Sequence, residues 1–321
     1  MEILPQRSVL KNLGERKMDK TLVDILGSRY PIILGPMRFI TFGKMAALVS
    51  LHGGFGQIAA SGLTPERLRE EIRYARTLTD RPFGVNFPIY RPRTDELIQV
   101  AIEQGIKTIT TSAGNPKRFI KKIKDAGLKV LHKVSTVDMA KKAEDAGVDG
   151  IIATGIEAGG HVGRDGITTF CIIPQMVRSV KIPVVAAGGI ADADTFRAVL
   201  ALGADGAEIA TRFLAAEECP VPDYFKKMIL EAKSDSTVLI GKGALPMRVL
   251  NNMAAQRILT MDKEKGDKDK INKEADEMYV TGGKDGQTSI LPCGQVAGMI
   301  NKILTVKEVI SNIAKGMEKG K

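Results

Sequence analysis

The chain has 321 residues, 44% hydrophobic and 26% charged, and its 47 Lys and Arg outnumber 37 Asp and Glu for a formal charge of +10. That size allows one large domain or two modest ones with a sizeable core, and no run reaches the roughly 18 to 20 apolar residues a membrane span needs, so no membrane association is expected. The basic balance suits a phosphorylated cofactor or an acidic substrate or carrier, whereas an aromatic content of 5% and the lack of a dense Lys/Arg stripe argue against nucleic acid.

Residues 1–20 are polar and charged, an N-terminal extension without the apolar segment of a secretory signal. Cys171, Cys219 and Cys293 are odd in number and have no metal-like spacing, so free thiols in a reducing cytoplasm and no metal site are expected. From residue 30 to 213, short β-branched runs alternate with amphipathic stretches. Strands are predicted at 31–34, 55–60, 83–87, 108–111, 129–134, 150–153, 183–187 and 206–210, and helices at 64–77, 94–104, 116–126, 137–146 and 193–202. Thr64-Pro65-Glu66 and Ser135-Thr136-Val137 are helix starts, as are Asp192 and Asp194. Gly105, Gly127, Gly147 and Gly203 fall where C-capping glycines belong.

Eight strands separated by helices within about 180 residues predict a (β/α)8 TIM barrel at 21–214. A doubly wound open sheet would want Gly-x-Gly-x-x-Gly after its first strand, and Gly35-Pro36-Met37 is not that. Further on, 222–232 and 248–258 read as helices. The lysine-rich stretch 262–276 reads as a solvated helix or mobile loop, and 306–314 as a final amphipathic helix. The expected organisation is therefore the barrel, a smaller cap or lid at 215–287, and C-terminal helices at 288–321 that return to the barrel.

In a parallel barrel the chemistry sits at the C-terminal ends of the strands. Small residues dominate those ends here, which leaves room for a bulky planar ligand. Gly155-Ile-Glu-Ala-Gly-Gly-His-Val-Gly163 packs four glycines, a carboxylate and an imidazole into one loop. A packing role does not explain so many glycines around His161, so catalysis or ligand contact is expected of it; His52 and His132 read as structural. Glu157 either touches a ligand or caps and orients the loop. Gly188 and Gly189, with Ala210 and Thr211 one strand later, offer main-chain N–H groups where such barrels bind phosphate. Helix-terminus electrostatics would add ~0.3 to 2 kcal/mol to such binding.

Taken in order, Pro31-Ile-Ile-Leu-Gly-Pro-Met37, Gly53-Gly-Phe-Gly56, Pro82-Phe-Gly-Val-Asn86, Glu157-Ala-Gly-Gly-His161, Ala186-Ala-Gly-Gly-Ile190, Thr211-Arg-Phe213 and Gly294-Gln-Val-Ala-Gly298 resemble the FMN-dependent family of nitronate monooxygenases (2-nitropropane dioxygenases) and flavin-containing enoyl-acyl-carrier-protein reductases II. The resemblance spans about residues 22 to 314. It implies an FMN oxidoreductase in which Gly35, Pro36 and Met37 wall the flavin ring and Asn86 contacts the ring or ribityl chain. It also implies that Glu157, Gly159 and Gly160 belong to the cofactor loop, that Gly188, Gly189, Ala210 and Thr211 hold the phosphate, that Gln295 lines the cavity, and that His161 is catalytic.

Two reactions compete. The short run from His161 to Phe170 and the tail from Met278 resemble the reductases, which implies NADH or NADPH as reductant and a 2-enoyl thioester, carried by acyl carrier protein or CoA, as substrate. The other is oxygen-dependent oxidation of alkyl nitronates. A homodimer is implied by resemblance alone. A flavin-free, phosphate-binding lyase or isomerase, with Lys133 as its candidate strand-end lysine, stays open. Two departures stand out: Ala210 where relatives carry glycine, and Arg38-Phe39 after Met37, which bears on the substrate side of the ring.

Overall fold

Residues 21–241, 246–264, 267–280 and 282–318 are described by the computed structural model; the expected N-terminal extension lies outside them. A five-residue helix α1 (Leu22–Leu26) comes first, held by a reciprocal cap between Thr21 and Asp24. The β/α alternation then runs β1 (Ile32–Leu34), α2 (Gly43–Leu51), β2 (Gln57–Ala59), α3 (Pro65–Leu78), β3 (Gly84–Pro88), α4 (Thr94–Glu103), β4 (Thr108–Ser112), α5 (Lys117–Asp125), β5 (Lys129–Val134), α6 (Val137–Asp145) and β6 (Gly150–Thr154). A two-residue strand β7 (Gly160–His161) interrupts it before α7 (Thr169–Ser179), β8 (Val184–Ala187), α8 (Ala193–Ala201), β9 (Gly206–Ile209) and α9 (Thr211–Leu214).

The eight principal strands pair in parallel in the order β1-β9-β8-β6-β5-β4-β3-β2. The seam between β1 and β2 is closed at Ile33 and Phe55. There the Phe55 N–H donates to the Ile32 carbonyl at 2.8 Å and the Leu34 N–H to the Phe55 carbonyl at 2.9 Å. The fold is the (β/α)8 barrel that the alternation predicts. The local signals fall where expected. Thr64 and Thr136 accept N–H groups from the first turns of α3 and α6, and Gly105, Gly127, Gly147 and Gly203 all have positive φ just past their helices.

Inward-facing side chains form two layers of opposite character. At the N-terminal end Ile33, Phe55, Leu131, Ile152 and Val185 pack with Leu22, Ile25 and Leu26 of α1, which plugs the barrel floor. Thr108 Oγ1 ties that plug to β4 by donating to the Ile25 carbonyl at 2.7 Å. One layer higher the interior turns polar. Asn86 donates to Thr110 (2.8 Å), Thr110 to Gln57 (2.5 Å) and Gln57 to Glu208 (3.3 Å), and Lys133 forms an ion pair with Glu208. Each of these five side chains thus meets a partner.

After the barrel come α10 (Asp223–Leu230), β10 (Thr237–Ile240), β11 (Met247–Leu250), α11 (Met253–Lys263), α12 (Lys268–Glu277) and α13 (Val306–Ala314). The helix expected at 248–258 is a correction. Met247–Leu250 is a strand paired antiparallel with β10 and with β7, and the helix begins only after Asn252, whose side chain accepts the Ala255 N–H at 2.8 Å. A four-residue run carries no period long enough to separate strand from helix; its neighbours decide. Within the lysine-rich stretch, Lys268–Glu277 forms α12, whose Ile271 and Ala275 share a buried apolar cluster with Ile258 of α11. Among the described residues no helix is long and apolar enough to cross a membrane.

Candidate active site

The strand ends surround an open cleft whose empty space, solvent at its mouth included, is about 770 Å³. The histidine loop is built from several sides. The Glu157 carboxylate accepts the Thr169 N–H at 2.9 Å and the Thr169 hydroxyl at 3.1 Å, capping α7. Gly155 must be glycine, because a Cβ there would lie 2.1 Å from Thr169 Oγ1 and 2.5 Å from Glu157 Oε2. Glu157 therefore anchors the loop and also lines the cleft. Buried Arg248 donates from Nε to the Ile156 carbonyl at 2.8 Å and from Nη1 to Thr237 at 3.1 Å. Pairing of Met247 with His161 and of Arg248 with Gly160 turns the loop's end into a strand.

His161 itself lines the cleft and keeps one face open to it. Crowding by protein atoms lowers its pKa, the guanidinium groups of Arg91 and Arg38 push the same way, and the Asp276 carboxylate opposes them. These influences together favour the neutral imidazole. Tyr279, just past α12, shares the lining, and burial pushes its hydroxyl up to about 12, so it remains a donor.

A cradle of main chain forms the opposite end. Gly188 and Gly189 have φ of 97° and 77°, and a Cβ on Gly188 would stand 2.9 Å from the Ala158 nitrogen. Among the described residues neither glycine N–H donates to a protein acceptor. Thr211 accepts the Gly294 N–H at 2.9 Å, which ties the C-terminal segment to the end of β9. Ala210 is accommodated by its neighbour: a Cβ on Gly35 would come within 2.8 Å of the Ala210 methyl. Thr154 adds a buried hydroxyl without a partner on the cleft wall.

Of the residues singled out in the sequence, Gly35, Pro36, Met37, Glu157, Gly159, Gly160, His161, Gly188, Gly189, Ala210 and Thr211 converge on this cleft. Two do not line it. Asn86 sits in the polar layer with its amide donating to Thr110. Gln295 is exposed; its N–H donates to the Glu157 carbonyl at 3.0 Å, and Gly294 and Val296 on either side supply the lining. Sequence reasoning missed Thr154 and Tyr279, which belong to no glycine-rich motif. His132 is structural: buried on the outer side of β5, its ring nitrogens meet Thr111 at 2.8 Å and the Gly114 carbonyl at 3.0 Å.

A closed parallel barrel whose rim joins a main-chain cradle, a small-residue wall and one imidazole belongs to the barrels that carry their sites at the C-terminal face of the strands. A family model for nitronate monooxygenase matches residues 19–316, and the chain belongs to that family of flavin-dependent oxidoreductases. Membership sets aside a flavin-free lyase or isomerase. FabK from Thermotoga maritima superposes with a TM-score of 0.88 at 37% identity over 93% of this chain and 96% of that one. A probable nitronate monooxygenase of Staphylococcus saprophyticus is 31% identical over 77% of this chain and 83% of its own length. The (3aS,4S,5R,7aS)-5-hydroxy-7a-methyl-1-oxo-octahydro-1H-indene-4-carboxyl-CoA dehydrogenase of Rhodococcus jostii is 33% identical over 72% of this chain and 65% of its own length.

Proposed function

We propose that this protein binds FMN in the cleft and reduces the double bond of a 2-enoyl thioester at the expense of NADH or NADPH. The observation that carries the reading is the convergence of His161 and the Gly188-Gly189 cradle on one cleft, in a chain 37% identical to FabK, an enoyl reductase. The unclaimed glycine N–H groups and the orphaned Thr154 hydroxyl fit the phosphate and polar edge of a flavin mononucleotide. Gly35, Pro36 and Met37 supply a wall without bulk beside its ring. Bound there, FMN supplies the hydride relay between nicotinamide and substrate.

The protein's own residues do the rest. The neutral His161 offers a ring N–H to the thioester carbonyl, where negative charge develops. Glu157, Arg248 and β11 fix the loop that aims it. Tyr279 is a second donor on the same wall. The relative acting on a carboxyl-CoA compound supports a thioester, and the +10 charge suits a polyanionic carrier such as CoA or acyl carrier protein.

Family membership favours a second reading, oxidation of an alkyl nitronate with oxygen. Purified protein with flavin absorption, mixed with NADH or NADPH and crotonyl thioester, separates the two. Thioester-dependent oxidation of the nicotinamide is the expected result. Nitrite release and oxygen uptake from a nitronate, without nicotinamide consumption, would establish the second reaction instead.

A further inference from the structure

The floor of the cleft is an ion pair that the chemistry above leaves unused. Lys133 of β5 and Glu208 of β9 both line the cleft, and their side chains meet inside the barrel. In the sheet order β6 and β8 stand between those two strands, so the pair crosses the lumen. Register fixes its depth. Glu208 lies beside Ala187, one residue before Gly188, and beside Ile33, two residues before Gly35. Lys133 lies beside Ile152, two residues before the orphaned Thr154. The pair is therefore one layer beneath the cradle and the small-residue wall. The Glu208 side chain is only 4% exposed, whereas 24% of Lys133 is open. The other Glu208 oxygen has an ordered donor. Gln57 Nε2 donates to the Leu34 carbonyl at 2.8 Å and to Glu208 at 3.3 Å. A carbonyl only accepts, so the amide orientation is fixed, with Oε1 accepting from the Thr110 hydroxyl at 2.5 Å.

Such a pair is a poor device for stability. Taking two charges out of water costs about as much as their attraction returns, and apolar side chains would fill the space at least as well, as they do in the layer below. Its use lies above it. We infer that Glu208 is a positioning residue that holds Lys133 and cancels its charge, so that the floor of the cleft presents a bound flavin with almost no net charge. The inference rests on the flavin reading of the cleft. A hydride taken from a nicotinamide leaves a neutral flavin ring a monoanion. Over an unopposed ammonium in this poorly hydrated interior, that anion would be held and would give up its hydride reluctantly. Over a balanced pair it stays a strong donor to the substrate.

The test uses the flavin-containing full chain and sulfite, which adds to an oxidised flavin ring, leaves it negatively charged and so reads the floor without turnover. Glu208→Gln, which keeps the volume and an acceptor for Gln57, should tighten the sulfite dissociation constant about tenfold. Lys133→Met should weaken it about tenfold, and the double variant should return close to the wild type. Lys133→Arg keeps the charge and should stay there too. Purely structural roles predict the opposite order, with the double variant furthest from the wild type. Flavin content and thermal midpoint report whether each variant is folded. Should Glu208→Gln fail to fold, the double variant, which leaves no unpaired charge, must still bind sulfite about tenfold tighter than Lys133→Met. Where sulfite adds too weakly to titrate, the flavin midpoint potential carries the same signs: up for Glu208→Gln, down for Lys133→Met, and back for the double. Unchanged or weaker sulfite binding in folded, flavin-containing Glu208→Gln, or a double variant no nearer the wild type than either single, overturns the counter-charge while the flavin reading stands. Wild-type protein that binds no FMN overturns the flavin reading, and the counter-charge with it.

Discussion

A neutral imidazole at the centre of the site has consequences that can be measured. Lowering of the His161 pKa by burial, Arg91 and Arg38 places its protonation below 6.5. An imidazolium acid would lose activity as pH rises through the ordinary histidine range, whereas a neutral N–H donor loses it only on the acid side. We expect kcat/KM for thioester reduction to be flat from pH 7 to 8 and to fall only on the acid side of the ordinary histidine range. A decline between 6 and 7.5 on the alkaline side would exclude the neutral donor. His161→Ala should retain FMN, because the cradle lies elsewhere, yet lose ~10² to 10⁴ in turnover.

His132 gives the opposite kind of test, one of stability. Burial lowers its pKa from 6.5 to about 4, outweighing the contact with the Gly114 carbonyl. Between those values the unfolded chain binds the proton and the folded one does not, so stability is full above 6.5 and is lost as pH falls towards 4. The lost stabilisation is on the order of 3 kcal/mol. Denaturant midpoints at pH 7 and pH 5 should diverge in the wild type, and the divergence should shrink in His132→Gln. The sequence distinguished the two histidines by their neighbours, glycines for one and an apolar strand for the other. It singled out Arg38 but could not disclose its partner Asp276, because nothing in the local pattern says that residues 38 and 276 meet.

At the scale of elements, strands and caps of the barrel were legible because each carries its own signal within a few residues, as at Thr64-Pro65 and Lys129–Val134. The run Arg248-Val-Leu-Asn was not, since its strand character comes from β10 and from the histidine loop. The same nonlocal pairing hid β7, and Gln295 was placed in the cavity from its motif although the chain turns its side chain outward. β11 therefore matters more to the site than its position in the sequence suggests. Replacing Arg248 by Met leaves the Ile156 carbonyl and Thr237 without their donor, at a cost of ~1 to 3 kcal/mol. The loop would lose its register before the protein loses its fold. The expected signature is a fall in kcat with little change in KM for the nicotinamide, and faster proteolysis around residues 155–165. Unchanged kcat in folded Arg248→Met would show that Glu157 and its cap on α7 suffice.

For the molecule as a whole, the two interior layers divide labour along the barrel axis. Below, α1 and the apolar ends of β1, β5, β6 and β8 form one buried cluster; above, the polar layer and the cleft are cut by glycines with positive φ. Glycine at the rim gives up packing for close approach to a ligand, so cohesion must come from the floor. Leu26 tests this division. It is almost wholly buried in the plug and far along the axis from His161. Leu26→Ala removes side-chain contacts and leaves a cavity that β strands on all sides cannot collapse, which should cost ~2 to 5 kcal/mol. Catalysis should not register the loss: at a temperature where the variant is folded, kcat and the FMN dissociation constant should match the wild type, while the urea midpoint drops. Saturating FMN should also restore part of the midpoint, by about 2.7 kcal/mol at a hundredfold excess over its dissociation constant, since the folded state alone holds the cradle. A Leu26→Ala protein that folds with its usual midpoint but binds FMN weakly would mean that the plug shapes the rim, and that floor and mouth are one mechanical unit.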